Sequence, residues 1–484
     1  MNYKMIGLFC SRILAVEAIF LVPPLLIALF WGEYASLLGF GVTLLAVVLV
    51  SLLFFLICKG APSSFNAKEG LVCVGLSWIA LSMLGCLPFV ISGVIPNYVD
   101  ALFETVSGFT TTGASVLPAV EGLPRSILFW RSFTNWLGGM GVLVFLLAFI
   151  PNDGQGTGFT MHLLRAESPG PDVGKLVPKM RTTALILYAI YIILTVLNII
   201  FLLFGGMSVL DSFCTAFSSA GTGGFGIRND SFASLSPYIQ IVTSVFILLF
   251  GINFSCYYLL LIRQAKSVFR DEELRLYLGI VAVSIALITW NTYSIYENFG
   301  ETLRHAAFQV ASIITTTGFA STDFNLWPSF SKIILLGLML VGACAGSTGG
   351  GLKCSRLLLI FKNLKRNILS ITHPNRVHVI RNNGKAVNEK VVINNNAYLG
   401  AYVLIIVFSA LIISLDAFSP ETHISAVISC VNNIGPGFDA VGPMSNFGGY
   451  SILSKLVLIF DMLAGRLEIF PILVLFSPHT WKNR

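Results

Sequence analysis

Residues 99–113, Val-Asp-Ala-Leu-Phe-Glu-Thr-Val-Ser-Gly-Phe-Thr-Thr-Thr-Gly, hold a short segment that runs into a glycine-centred turn. The turn, Thr110-Thr111-Thr112-Gly113, has three counterparts: Ala220-Gly221-Thr222-Gly223, Thr315-Thr316-Thr317-Gly318 and Asn432-Asn433-Ile434-Gly435. The glycines stand 110, 95 and 117 residues apart, and three of the four segments carry Phe ten residues before the glycine (Phe103, Phe213, Phe308). Repetition at this period is read first, because it sets the architecture. Each segment before a turn covers 10–13 residues, for example 99–109 and 302–314, which spans only about half of a ~30 Å hydrocarbon core. Irregular backbone at that depth is tolerated where it lines a watery cavity or lies inside protein. Four such segments predict one shared pore.

Composition agrees. The chain has 484 residues, 55% hydrophobic and 11% charged, with mean hydropathy +0.83. Soluble domains carry roughly 25% charged residues. Apolar stretches near 6–31, 36–58, 70–94, 126–150, 182–204, 239–262, 274–293, 330–358, 398–418 and 451–475 predict ten spans. No cleavage signature follows the first, so it reads as a span and not a removed signal peptide. The fold class expected is an all-α polytopic membrane protein. Four pseudo-repeats of helix, pore half-helix, filter loop and helix surround one pore, preceded by two extra transmembrane helices. The divisions are 1–69 for the leading helices, 70–150, 151–265 and 266–362 for repeats one to three, 363–397 for a cytoplasmic basic linker, and 398–484 for repeat four.

With the even-numbered connections and both termini on one side, that side holds 23 of the 30 Lys and Arg. Positive-inside bias makes it the cytoplasm. The opposite face carries twelve acidic residues, among them Asp100, Glu104, Glu121, Asp211, Glu301, Asp323 and Glu421. The net charge of +7 is topological and gives no reason to invoke nucleic acid. The nine cysteines form no C-x-x-C pair and read as buried apolar residues. His305 and His423 read as polar contacts. No cluster has catalytic spacing, so no enzyme is expected. In the linker, Asn383-Gly384 between 377–380 and 387–392 predicts a basic hairpin.

Backbone carbonyls bind a dehydrated potassium ion without a fixed charge, so the ion can leave again. Glycine allows the backbone angles that aim successive carbonyls at one axis, and Thr hydroxyls extend the ladder. Expected potassium ligands are Thr111, Thr112, Gly113, Thr222, Gly223, Thr316, Thr317, Gly318, Asn433, Ile434 and Gly435, with Thr110, Gly221, Gly224, Thr315 and Asn432 completing the turns. In the second turn, Thr222-Gly223-Gly224-Phe225-Gly226 admits two registers, through Gly223 or through Gly224. In the eighth span, four glycines within Gly346-Ser347-Thr348-Gly349-Gly350-Gly351 predict a broken helix, each costing ~0.8–1 kcal/mol against Ala. Arg466 lies mid-span, where insertion costs ~2.5–3.5 kcal/mol. It reads as a barrier to cations and as an ion-pair partner of Asp461 or Glu468.

These turns, together with Gly346–Gly351, Gly465-Arg466-Leu467-Glu468, Trp136-Leu137-Gly138-Gly139-Met140-Gly141, Arg165-Ala166-Glu167-Ser168-Pro169-Gly170-Pro171 and Asn432–Gly437, resemble the Trk/Ktr/HKT superfamily of potassium transporters from the first span to the last residues. The closest likeness is to the bacterial Trk membrane subunits. The resemblance implies a bacterial inner (plasma) membrane protein with both termini cytoplasmic, assembled as a homodimer with one pore per protomer. It also implies a cytosolic nucleotide-binding regulatory ring (TrkA-like), with ATP/ADP or NAD on that partner only. In the superfamily, Ser at the first filter position goes with sodium permeation, and glycine at all four with potassium preference. The Gly346–Gly351 loop is then the gate. The basic surface of Lys362, Lys365, Arg366, Arg376, Arg381 and Lys385 is the expected dock for the ring. A proton- or sodium-coupled symporter on the same fold would need an intramembrane carboxylate, for which Glu17, Asp461 and Glu468 are the candidates.

Overall fold

The computed structural model describes residues 1–60, 67–139, 141 and 180–481. Met140, the 165–171 motif and the second half of the span expected at 126–150 lie outside them. The described chain is helical apart from loops and one two-stranded hairpin. Six helices are long and apolar enough to cross a membrane: Tyr3–Trp31 (bent at Leu21), Tyr34–Cys58, Lys68–Ile91, Ala184–Phe204, Glu272–Thr292 and Glu389–Ile413. A bent pair, Pro237–Phe250 and Phe254–Leu261, makes a seventh if counted as one span. Large side chains along Tyr34–Cys58 (Leu45, Leu49, Leu52, Phe55) point outward. A soluble protein would hide them, and a lipid-facing helix has no reason to.

The ten expected spans therefore need correction. The second helix of each unit is not one continuous span. Pro237–Phe250 turns by 87° into Phe254–Leu261. Ser329–Val341 ends at Gly342 and the helix resumes only at Cys354–Thr372. Ile452–Arg466 stops before Phe470–Phe476, with Glu468 and Ile469 at positive φ. The first unit's helix, Arg125–Gly139, ends at the same relative place. Apolarity cannot reveal these breaks, because every segment on either side of them is apolar. Only the eighth-span break has a glycine run that announces it.

Four half-length helices are present: Tyr98–Phe109, Val209–Gly221, Phe299–Ile314 and Pro420–Asn432. Each begins with a side-chain cap, from Asn97, Ser208, Asn298 and Ser419, and has an acidic first turn (Asp100, Asp211, Glu301, Glu421). The caps satisfy orphan N–H groups and the acids offset the positive end of the helix dipole. At the other end, glycines on the broken helices let backbone meet backbone. A Cβ on Gly138 would overlap the Phe109 carbonyl, and one on Gly465 the Val431 carbonyl. Those carbonyls sit at matching places, four residues before Gly113 and Gly435.

The linker also differs from expectation. Its strands are Arg381–Asn382 and Lys385–Ala386, joined by Asn383-Gly384, both at positive φ. The apolar residues from Val391 onward belong to the helix Glu389–Ile413, which Asn388 caps. With Cys354–Thr372 before it, the non-helical linker is shorter than 363–397.

Candidate ion pathway

The four turns share one backbone conformation. Two residues before each critical glycine, a residue with a side chain sits in the left-handed region: Thr111 (φ 56°), Thr222 (φ 51°), Thr316 (φ 60°) and Asn433 (φ 55°). The glycines themselves are Gly113 (φ 80°), Gly224 (φ 71°), Gly318 (φ 82°) and Gly435 (φ 103°). Left-handed backbone at a non-glycine costs about 1–3 kcal/mol and clusters at functional sites. One hydrogen bond also recurs, donated by the residue before the glycine to a serine carbonyl. The pairs are Thr112 to Ser107, Gly223 to Ser218 and Thr317 to Ser312, each at 2.8 Å, and Ile434 to Ser429 at 3.0 Å.

This fixes the register of the second turn. Gly224 is the counterpart of Gly113, Gly318 and Gly435, and Gly223 is the counterpart of Thr112. The alignment through Gly223 is off by one. The Phe pattern that suggests it is a coincidence in that repeat, since Phe103 and Phe308 are buried whereas Phe213 is exposed and Cys214 takes the buried position. A signal present in all four copies is Ser six residues before glycine: Ser107, Ser218, Ser312 and Ser429, all fully buried.

In this register the turns close on one another. A Cβ added at Gly113 would overlap the Gly223 carbonyl, one at Gly224 the Thr317 carbonyl, and one at Gly318 the Ile434 carbonyl. At Gly435 the added carbon would lie 2.8 Å from the Thr112 carbonyl oxygen, which completes the circuit. The oxygens of Thr112, Gly223, Thr317 and Ile434 thus each lie against the neighbouring unit's glycine. On one side a cavity of about 150 Å³ is lined by all four glycines, with Arg131 and Phe225 on its wall. Arg131 is held by Glu104 at 2.7 Å and lies 4.2 Å from the Phe225 ring centre.

Not every expected ligand faces this ring. Thr110 and Thr315 turn their hydroxyls back to the Val106 and Ala311 carbonyls, 2.7 Å each. Asn432 bonds Tyr402, and Gly221 packs against the Asn135 backbone. These four support the turns from behind. Asn433 donates to the Thr112 hydroxyl at 3.0 Å and the Met462 carbonyl at 2.9 Å, tying the fourth turn to the first.

The loop after Val341 packs directly against the turns. The Gly350 N–H donates to the Thr316 hydroxyl at 2.6 Å, and the Thr348 hydroxyl to the Phe250 carbonyl at 3.2 Å. A Cβ at Gly349 would lie 2.8 Å from the Thr315 carbonyl, and one at Gly350 would overlap that of Asn432. Glycine is needed here for close approach, beyond any cost to helix. Arg466 joins the parts. It donates to the Thr348 carbonyl at 2.9 Å, the Thr111 hydroxyl at 3.2 Å, the Gly139 carbonyl at 2.8 Å and the Gly138 carbonyl. The two expected carboxylate partners are engaged elsewhere, Glu468 with Arg356 and Asp461 with Ser409 at 2.7 Å. The ion-pair expectation gives way to carbonyl tethering.

Sequence reasoning misses Lys353. Counted by sequence among the cytoplasmic charges, it is 4% exposed, has φ 74°, and its ammonium donates to the Gly349 carbonyl. A lysine bordering a glycine run looks like any flanking charge, so nothing local distinguishes it. The histidines make polar contacts as expected, His305 with Ser321 and His423 with Tyr450. All nine cysteines are free and buried.

The fold and the site together define a polytopic membrane protein with a backbone-lined constriction. A family model described as TrkH, cation transport protein, matches residues 43–483. The Trk system potassium uptake protein TrkH of Salmonella typhimurium (strain LT2) is 36% identical over 96% of either chain. The Trk system potassium uptake protein TrkG of Escherichia coli (strain K12) is 31% identical over 100% of this chain and 99% of that one. The crystal structure of the potassium transporter TrkH from Vibrio parahaemolyticus superposes with a TM-score of 0.89 at 30% identity, covering 100% of both chains. The chain belongs to the TrkH family of cation transport proteins, a family of transporters and not of enzymes.

Proposed function

We propose that this chain carries potassium into the cell across the bacterial inner membrane, through a selectivity filter at Gly113, Gly224, Gly318 and Gly435. The observation that carries the reading is the closed circuit in which each of these glycines meets a carbonyl of the next turn. Four quasi-equivalent units surround one pore, and the C-terminal ends of their half-helices add partial negative charge toward the cation. Carbonyls bind the ion loosely enough for it to leave. The cavity above the ring is the outer vestibule, and both termini are cytoplasmic. Gly346–Gly351, tethered by Arg466 and Lys353, is the gate on the cytoplasmic side, and the two cations raise a barrier to potassium while the loop is closed. The protein works as a homodimer on a cytosolic, nucleotide-binding ring that moves the gate; ATP/ADP or NAD belongs to that partner.

A second reading, proton- or sodium-coupled symport, draws on two buried carboxylates. Neither oxygen of Glu17 has a hydrogen-bond partner, and one oxygen of Asp461 has none. Glu468, the third candidate, is paired with Arg356. Neither Glu17 nor Asp461 lines the vestibule, which favours uncoupled flux. Potassium flux in proteoliposomes, with and without imposed proton and sodium gradients, decides between the readings. Flux indifferent to both gradients is expected; flux that follows either one establishes coupling. In the same assay Gly113→Ser should lower the potassium-to-sodium permeability ratio about tenfold, equal to ~1.4 kcal/mol of discrimination. An unchanged ratio would remove the filter assignment.

A further inference from the structure

The run Asp271-Glu272-Glu273 opens the span Glu272–Thr292, and its three residues reach three different parts of the cytoplasmic half. Asp271 caps the helix through the Leu274 N–H at 2.8 Å, and its other oxygen accepts from the Asn383 side chain at 2.8 Å. The Glu272 N–H donates to the same Asn383 side chain at 3.0 Å. The Glu272 carboxylate pairs with Lys362, whose ammonium also donates to the Arg381 carbonyl at 2.7 Å. The tip and one strand of the exposed hairpin are thereby fastened to the start of the span. Glu273 points the other way, into the protein. Its carboxylate accepts the Ala345 N–H at 2.6 Å, and the Ser355 amide faces the same group.

Ala345 and Ser355 bracket the Gly346–Gly351 loop. Between them the Cys354 N–H donates to the Ala343 carbonyl at 2.9 Å and draws the loop's base closed. Simple dipole compensation would also place acids in a first turn. It does not require a carboxylate to leave its own helix and accept from another segment's backbone. Nor does it require the hairpin asparagine to be held from two directions.

We propose that Glu273 is the positioning residue of the loop, and that Asp271-Glu272-Glu273 is the strut through which movement of the Asn383-Gly384 hairpin reaches Gly346–Gly351. This rests on the loop being the gate. A rigid helix start joins two elements that are otherwise far apart in sequence, so displacing one biases the other between two discrete arrangements. A cytosolic partner that binds the hairpin differently in its two positions would shift the loop's population.

Amide exchange at Ala345 and potassium flux, measured together on the full chain in liposomes, test the strut without any partner. Lys362→Ala with Asn383→Ala detaches the hairpin at exposed positions and is expected to speed Ala345 exchange about fivefold, the scale of exposed polar tethers, and to raise basal flux. Glu273→Ala should do both by itself, and the hairpin changes should add nothing in that background. Glu273→Gln, which keeps an acceptor oxygen, should restore slow exchange. Unchanged Ala345 exchange in the hairpin variant, or additive effects with Glu273→Ala, would overturn the strut. Faster exchange with unchanged flux would instead remove the gate assignment on which the proposal rests. If Glu273→Ala does not insert, Ala345 exchange in the hairpin variant alone still upholds or overturns the strut.

Discussion

Two adjacent glycines, Gly223 and Gly224, do different work, and the difference can be measured. A Cβ at Gly223 meets the side-chain amide of Asn135, a group that can be trimmed. At Gly224 it meets the Thr317 backbone carbonyl, and φ of +71° strains any L-residue. Gly223→Ala should therefore reduce potassium flux, and a second change, Asn135→Ala, should restore most of it. Gly224→Ala should cut flux about tenfold or more and gain nothing from Asn135→Ala, as expected where about 1–3 kcal/mol of strain is added at one turn. Flux assays on the four variants check this. Rescue of Gly224→Ala and not of Gly223→Ala would return the filter to Gly223.

At the scale of elements, the broken second helices do what continuous spans could not. A helix satisfies its own backbone, whereas a break frees N–H and C=O groups that must find partners within the membrane. Here the breaks satisfy one another. The Phe254 N–H donates to the Gly346 carbonyl at 3.0 Å, and the Cys344 N–H to the Gly251 carbonyl at 3.1 Å. The loop is thus built into its neighbours at both ends, while its middle lies against the turns. Deleting Gly346–Gly351, or replacing it with alanines, should raise basal potassium flux several-fold and leave the potassium-to-sodium ratio near that of the intact chain. Reversal potentials and unidirectional flux measure the two quantities separately. A folded, inserted variant with no flux would make the segment a structural plug of the helix break and not a gate.

Across the whole molecule, the basic cytoplasmic surface divides into engaged and free cations. Lys362 pairs with Glu272 and Arg366 with Glu389, so both are committed within the chain. Arg376, Arg381 and Lys385 are exposed on or beside the hairpin. Reversing those three charges should weaken binding of the regulatory ring by at least tenfold and blunt nucleotide-dependent gating, with basal flux and insertion retained. Binding titrations over a range of salt concentrations check this, because exposed charge pairs are screened. Binding and gating equal to those of the unmodified chain would assign the three cations to anionic lipid headgroups.

By itself the sequence determined that the chain lives in a membrane, that half-length segments recur four times, and that each ends on hydroxyl-rich or amide-rich residues and glycine. Those features are local: hydropathy, segment length and turn composition are written along the chain. Even the second turn's register was legible, in the serine six residues before each glycine, though the Phe pattern masked it. Tertiary structure decided what depends on partners distant in sequence. It chose Gly224 by closing the turns into a ring, moved Arg466 from a carboxylate to the Thr348 and Gly139 carbonyls, and buried Lys353 among groups its neighbours do not announce. It also broke helices whose apolar sequences read as continuous. A membrane-spanning segment is selected for apolarity whether it is straight or broken. Where its backbone departs from a helix is set by which neighbouring carbonyls and amides stand ready to replace the lost hydrogen bonds.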